Sequence, residues 1–128
     1  MFRFTTDVLS KPNLPQPIAN ALIESFAIHA RNLFFFFYTG VKSRKKDDVL
    51  AEDYAINKKE FRTHRTKKTL LSNITKRVAK QIAHLTYHRA VYNKKTKPWK
   101  MQDIRKKLDK TIDAFINSLT EEQKIWFR

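Results

Sequence analysis

Hydrophobic side chains recur along the chain at intervals of three and four residues, which is the spacing of one face of an α-helix. The first long segment of this kind runs over residues 16–39. Pro15 and Pro17 suit a first helical turn, and Gly40 suits the position just after the last turn. The face predicted to turn towards a core consists of Ile18, Leu22, Phe26, His29, Leu33 and Phe36.

An aromatic run widens this face at the C-terminal end of the helix. Phe34, Phe35, Phe37 and Tyr38 lie on several sides of a helix at once, and one face cannot bury them all. This end is therefore expected either to lie at the centre of a bundle or to form an oligomer interface, and we favour a homodimer.

Two further stripes predict two more long helices. Over residues 67–92 the stripe consists of Leu71, Ile74, Val78, Ile82 and Leu85. After Pro98, which suits a helix start, it consists of Ile104, Leu108, Ile112, Phe115 and Leu119. Thr120 and Gln123 have the spacing of a capping box and predict a short terminal helix. The whole pattern predicts an all-α, up-and-down bundle of four to five helices in a single domain over residues 1–128.

Acidic residues cluster between the first two of these helices. Residues 41–48 are typical of an exposed loop, and Asp47 or Asp48 can cap a short helix over residues 49–54. With Glu52 and Asp53, the two aspartates offer carboxylate oxygens of the kind that Mg²⁺ prefers. Helix capping and pairing with nearby Lys and Arg account for the same cluster without a metal. We therefore expect no metal and no other cofactor.

The composition is typical of a helical protein of a reducing compartment. The 128 residues include one Gly and four Pro, too few turn signals for many short strands, and no Cys. The lack of Cys excludes disulfides, thiolate metal sites and Cys nucleophiles. No apolar run approaches the roughly 20 residues that span a bilayer, and the first residues lack the apolar core of a signal peptide. We expect a cytoplasmic protein without a membrane partner.

The formal net charge of +15 is concentrated in the middle of the chain. Residues 58–110 hold 18 Lys and Arg against 3 Asp and Glu, whereas residues 1–57 hold 7 against 6. Such a block favours a polyanionic partner, nucleic acid first and an anionic membrane second. The alternative is a solvated helix surface that binds no ligand.

Arg77 and His84 are the residues that best suit chemistry on a phosphate. Seven positions make almost two helical turns, so both side chains point the same way, with Cα atoms roughly 10 Å apart. Gln81 lies between them and His88 lies one turn further on, and this row borders the apolar stripe. A guanidinium binds phosphate oxygens in pairs and an imidazole exchanges protons near neutral pH, so the row can hold a phosphate and act on it.

Three segments resemble small bacterial proteins with HEPN-like helical bundles: ALIESFAIHARNL (residues 21–33), DDVLAEDY (47–54) and RVAKQIAHLTYHR (77–89). HEPN domains carry an Arg, four to six residues and then a His, and Arg77 with His84 match the longest form of that motif. The resemblance implies a metal-independent endoribonuclease whose dimer joins two motifs in one cleft. It implies that His84 assists attack of the ribose 2′-OH and that Arg77 stabilises the phosphate, leaving a 2′,3′-cyclic phosphate. DNA would be bound but not cut.

Other residues are predicted to support this site or to bind the nucleic acid. His29 is either a buried, hydrogen-bonded histidine of the core or a side chain that faces the Arg77 and His84 row. Trp99 either stacks on bases or anchors the last long helix. The side chains predicted to contact single-stranded RNA are Lys80, Arg89, Lys94, Lys95, Lys97, Trp99 and Lys100.

The function predicted from the sequence is RNA binding with endonucleolytic cleavage by Arg77 and His84. A second hypothesis is a non-catalytic nucleic-acid-binding module that uses the same basic region. A third is a protein-interaction module, such as the partner of an antitoxin or of a nucleotidyltransferase, with the aromatic end of the first long helix as its contact.

Overall fold

The computed structural model describes residues 2–78 and 101–127 of the chain. Its helices are α1 (Phe2–Leu9), α2 (Gln16–Tyr38), α3 (Lys58–His64), α4 (Asn73–Val78), α5 (Met101–Asn117) and α6 (Glu121–Trp126). Short 3₁₀ turns lie at Val41–Ser43, Ala51–Asp53 and Lys68–Leu70. These ranges contain no strand, and the prediction of an all-α bundle is confirmed. None of the described helices is both long and apolar enough to cross a membrane.

Helix α2 lies at the centre of the bundle, with α1, α4 and α5 packed against it. It begins as predicted, with Pro17 in the first turn, and it ends at Tyr38. Gly40 follows the last turn without adopting a left-handed backbone conformation, because the C-cap residue Thr39 is extended and its amide donates to the Phe35 carbonyl. The buried side chains of α2 are Phe26, Ala27, Ala30, Phe34, Phe37 and Tyr38.

The face of α2 that is buried differs from the predicted one. Of the predicted stripe only Phe26 is fully buried, and Ile18 is 49% exposed. The buried arc is centred about 100° around the helix axis from the predicted one. The prediction was wrong because the run over residues 34–38 offers large side chains on several sides of the helix, and because the small residues of the buried side were not counted. Ala27 and Ala30 are fully buried, and small residues at a helix contact let the neighbouring helices approach closely.

The aromatic end of α2 is covered within the chain. Phe37 contacts the rings of Phe61 on α3 and Phe115 on α5, with centroids 6.2 and 5.7 Å away. Tyr38 is stacked on Phe34. Of this run Phe35 is the most exposed, at 45%. Since most of the run is buried in the bundle, it no longer requires a second copy to cover it, and the homodimer stays a prediction.

A buried network of hydroxyl groups joins α2, α5 and the segment that follows α3. The Tyr38 hydroxyl lies 2.7 Å from the Thr66 carbonyl and 2.9 Å from Thr111 Oγ1. Because a carbonyl only accepts, the Tyr38 hydroxyl donates to Thr66. The Thr111 hydroxyl is then the donor in its contact with Tyr38, and it shares this one proton with the Lys107 carbonyl 3.2 Å away. Thr111 Oγ1 also accepts from the Thr66 amide, and the Thr66 hydroxyl donates to the Lys107 carbonyl. Burial raises the pKa of Tyr38.

Arg65 completes the packing beside this network. Its guanidinium lies 4.7 Å from the centre of the Tyr38 ring and 5.4 Å from that of Phe61. It also donates a hydrogen bond to the Phe37 carbonyl. Burial lowers the pKa of this arginine, but the ring faces and the carbonyl dipole partly replace the water it has lost.

Two short helices were not predicted. In α1, Thr5 and Thr6 are buried, and their hydroxyls donate to the carbonyls of Phe2 and Arg3 at 2.8 and 2.7 Å. Bonds of this kind let threonine occupy a core position, which a search for apolar residues misses. Helix α3 lies in a polar segment, and its N-cap Asn57 accepts from the Glu60 amide at 3.0 Å.

The predicted helix over residues 67–92 was wrong at its start. Residues 68–70 form a 3₁₀ turn and α4 begins only at Asn73. Leu71 and Ile74 are nevertheless buried, as the stripe predicted. In place of the predicted helix over residues 49–54, the structure has the single 3₁₀ turn Ala51–Asp53. The Asp53 side chain accepts a hydrogen bond from the Leu50 amide at the start of this turn. Residues 79–92 lie outside the described residues.

The C-terminal part of the chain follows the prediction. Leu108, Phe115 and Leu119 are buried, and Ile104 and Ile112 pack against the same core. Thr120 and Gln123 form the predicted capping box, each side chain accepting from the other's amide at 3.1 Å. The stripe was correctly predicted here because α5 buries one face and leaves the opposite face to solvent.

Tyr38→Phe is expected to lower the free energy of unfolding by about 1–3 kcal/mol, since it leaves the buried Thr66 carbonyl without its donor. Urea unfolding followed by circular dichroism measures this change. Tyr54→Phe is the matched control, because the Tyr54 ring packs on Phe127 outside the network. Equal effects of the two substitutions would contradict the role given to the Tyr38 hydroxyl.

Candidate functional site

A surface cavity of about 620 Å³ lies beside the C-terminal half of α2. Its first wall is α2, which contributes Arg31, Asn32 and Phe35. Its second wall is the segment over residues 43–50, and Lys68 reaches it from the 3₁₀ turn before α4. The cavity therefore joins three parts of the chain that are distant in sequence.

The cavity is positively charged. Arg31, Lys45 and Lys68 line it, against the single carboxylate of Asp48. Asp48 Oδ2 accepts from the Lys45 amide at 2.8 Å, so part of its negative charge is already engaged by the backbone. Within residues 2–78 and 101–127 neither Lys45 nor Lys68 has an ion-pair partner. Both ammonium groups are therefore available to an anionic ligand.

A cation and an aromatic ring lie together on the helical wall. The Arg31 guanidinium lies over the Phe35 ring, 5.4 Å from its centroid. The two residues are one helical turn apart, so their side chains meet on the surface of α2. The Phe34 and Phe35 rings form a T-shaped pair with centroids 6.2 Å apart, and this buried neighbour limits how far the exposed Phe35 ring can move.

Two ion pairs fix the other wall. Arg44 pairs with Asp53, and Asp53 also accepts from the Leu50 amide at 2.9 Å. These donors hold the pKa of Asp53 below its ordinary value. Arg62 on α3 donates two hydrogen bonds of 2.6 Å to the buried Glu52, and these lower the pKa of Glu52 more than burial raises it. The segment is thereby attached to α3.

The acidic cluster that was weighed as a Mg²⁺ site has these structural roles. Asp48 accepts from a backbone amide, and Glu52 and Asp53 each pair with an arginine. In the part of the chain that the structure describes, no three His, Asp or Glu side chains converge as metal ligands.

Most of the site residues predicted from the sequence lie outside the described residues. His29 is described and is half-buried on α2, so it is not the enclosed histidine of the core interpretation. Arg77 belongs to α4 by its backbone, and its side chain lies outside the described part. The others outside it are Lys80, Gln81, His84, His88, Arg89, Lys94, Lys95, Lys97, Trp99 and Lys100.

A second, smaller cleft of about 290 Å³ lies between α3 and α5. Glu60, His64, Lys110 and Asp113 line it. His64 Nδ1 lies 2.9 Å from the Glu60 carbonyl, which only accepts, so Nδ1 carries the proton and a neutral ring leaves Nε2 as an acceptor. Two carboxylates on its walls make this cleft less suited to a polyanion than the cavity beside α2.

The cavity was not predicted from the sequence, although one signal for it was present. Arg31 and Phe35 have the spacing of neighbours on a helix surface, which suggests a cation over a ring. The position of Lys45, Lys68 and the loop wall depends on tertiary packing, which the local pattern does not contain.

No protein-family model, curated protein or solved structure matches this chain. The resemblance to HEPN domains therefore rests on the three sequence segments alone.

Stability is expected to depend on pH through Glu52. Because the folded-state pKa of Glu52 is lowered, its contribution is present above the ordinary pKa and is lost as pH falls through the folded-state pKa. Glu52→Gln should lower the free energy of unfolding by about 1.5–3 kcal/mol at neutral pH, the range for hydrogen bonds to charged groups. The difference from the parent should shrink in acid.

Urea unfolding at a series of pH values measures this dependence. Glu122→Gln is the control, since Glu122 is exposed on α6, and it should leave the pH profile unchanged. A deficit of Glu52→Gln that persists at the lowest pH would contradict the assignment.

Proposed function

We propose that this protein binds RNA and that the cavity beside α2 is the centre of the binding surface. One observation carries the proposal. The same cavity is lined by two lysines, Lys45 and Lys68, that form no ion pair within the described residues, and by the exposed Phe35 ring, over which the Arg31 guanidinium lies. Cations that meet phosphates and planar groups that meet bases are the two components of single-strand recognition. The net charge of +15 supplies long-range attraction to the same ligand.

The distribution of ion pairs supports a polyanionic ligand. Asp7, Glu52 and Asp53 each pair with an arginine. These three carboxylates are thus used within the fold, whereas Lys45 and Lys68 line the cavity. Asp48 is the one described carboxylate on the cavity wall, and its Oδ2 accepts from the Lys45 amide, so the cavity keeps an excess of positive charge.

The shape of the site favours a nucleic acid over the other partners considered. An anionic membrane is met by a convex or flat surface with an apolar face, whereas these cations line a cavity. The protein-interaction hypothesis placed its contact at the aromatic end of α2, and Phe34, Phe37 and Tyr38 are buried there. RNA is preferred to DNA on the likeness to HEPN domains.

Removal of the two cavity lysines is expected to weaken RNA binding and its salt dependence. In Lys45→Gln with Lys68→Gln, the slope of log affinity against log salt should fall by about one to two, since each phosphate contact on a single strand contributes about 0.7. Fluorescence anisotropy of a labelled single-stranded RNA over a salt series measures the slope.

The matched control is Lys59→Gln with Lys110→Gln, which removes the same charge from α3 and α5 outside the cavity. It should have a clearly smaller effect. If both pairs lower affinity and slope equally, binding is spread over the whole surface and the cavity is not its centre. If the parent itself binds no RNA at low salt, the proposed function is wrong.

Cleavage by Arg77 and His84 is a further proposal that rests on the sequence motif. The purified protein is expected to cut single-stranded RNA in EDTA and to leave 2′,3′-cyclic phosphate ends, and His84→Ala is expected to bind RNA without cutting it. Gel analysis of end-labelled RNA, with and without acid opening of the cyclic ends, measures both. Cleavage that survives in His84→Ala would assign it to another group or to a contaminant, and a folded parent that binds without cutting would be a non-catalytic module.

A further inference from the structure

We infer that the cavity beside α2 holds one unpaired nucleotide, whose base stacks on the Arg31 and Phe35 pair while its phosphates meet Lys45 and Lys68. The ligand is therefore single-stranded RNA or an unpaired loop, and duplex RNA is excluded from the cavity. This inference rests on the proposed function and names the substrate class of the same site.

The size of the cavity suits a single nucleotide. Its volume of about 620 Å³ lies within the roughly 300–1,000 Å³ typical of pockets that bind small molecules. A paired base is stacked between its neighbours and presents only its edges, so it does not enter a cavity. An unpaired base can be turned outwards and presents a whole face.

The helical wall provides the surface on which such a base can stack. A guanidinium and a phenyl ring are both planar, and bases stack on either group. The Arg31 guanidinium already lies 5.4 Å from the centre of the Phe35 ring in the free protein, and the buried Phe34 forms a T-shaped pair with Phe35. The stacking surface is therefore formed before the ligand arrives, which lowers the entropy lost on binding.

The remaining walls provide contacts for the phosphate and for the edge of the base. Lys45 and Lys68 belong to the loop wall and to the 3₁₀ turn before α4, and they carry the positive charge of these walls. Asn32 and Ser43 line the same cavity with one amide and one hydroxyl group, which can donate to or accept from a base edge. The loop wall is fixed by the Arg44–Asp53 and Arg62–Glu52 pairs.

Two conservative substitutions separate stacking from charge. Arg31→Lys keeps the positive charge and removes the planar group, and Phe35→Leu keeps an apolar side chain and removes the ring. Each should weaken binding of a labelled oligoadenylate about tenfold, as expected for the loss of one stacked base. Neither should change the affinity for an RNA duplex of equal length, which the parent itself should bind more weakly.

Phe4→Leu is the matched control, since Phe4 is a phenylalanine 58% exposed on α1 outside the cavity, and it should leave both affinities unchanged. Unfolding curves of all variants verify that the fold is intact. One result would overturn the nucleotide site and leave the proposed function standing. In that result, Arg31→Lys and Phe35→Leu both leave the affinity for the single strand unchanged, while Lys45→Gln with Lys68→Gln still weakens it. Duplex binding as tight as that of the single strand would overturn the nucleotide site as well.

Discussion

The hydroxyl of Tyr38 is the contact on which the arrangement of this bundle depends. It connects the last turn of α2 to the Thr66 carbonyl and to Thr111 in the middle of α5. Three elements far apart in sequence are thereby fixed at one buried point, where an unmatched polar group would cost more than the bond itself contributes. Lys68 follows Thr66 by two residues, so the same contact determines where that lysine meets α2 and hence where the cavity forms.

The rotation of α2 that this contact imposes separates the aromatic run into two roles. Phe34, Phe37 and Tyr38 turn inwards, while Phe35 is left at the surface beneath Arg31. A helix advances about 100° per residue, so a rotation of about one residue would bury Phe35 and expose one of its neighbours. Core packing and the candidate site are therefore consequences of one orientation.

A helix could be predicted from the sequence, with its buried face, only where the spacing of its apolar residues allowed a single buried face. Leu108, Phe115 and Leu119 on α5 repeat at helical spacing with polar residues opposite, and the prediction there is confirmed. In α2 the consecutive aromatic residues lie on several faces of the helix, so the pattern predicted the helix correctly but did not predict which face is buried. Thr5 and Thr6 occupy core positions through hydrogen bonds, which hydrophobicity does not reveal. The cavity requires Lys45, Lys68 and Phe35 to meet, and only tertiary packing brings them together.

Arginines and lysines form different kinds of ion pair in this protein. The arginine pairs with Asp7, Glu52 and Asp53 link separate elements, whereas the described lysine pairs, such as Lys107 with Asp103, lie within single helices. A guanidinium binds a carboxylate in a fixed geometry, which suits a contact that must fix two elements, and an ammonium on a flexible stem suits a ligand whose phosphates vary in position. Among the residues that the structure describes, the positive charge outside ion pairs is therefore mainly lysine charge. Salt would screen these exposed lysines more strongly than the partly buried arginine pairs, so the proposed RNA ligand would be released at an ionic strength that leaves the fold intact.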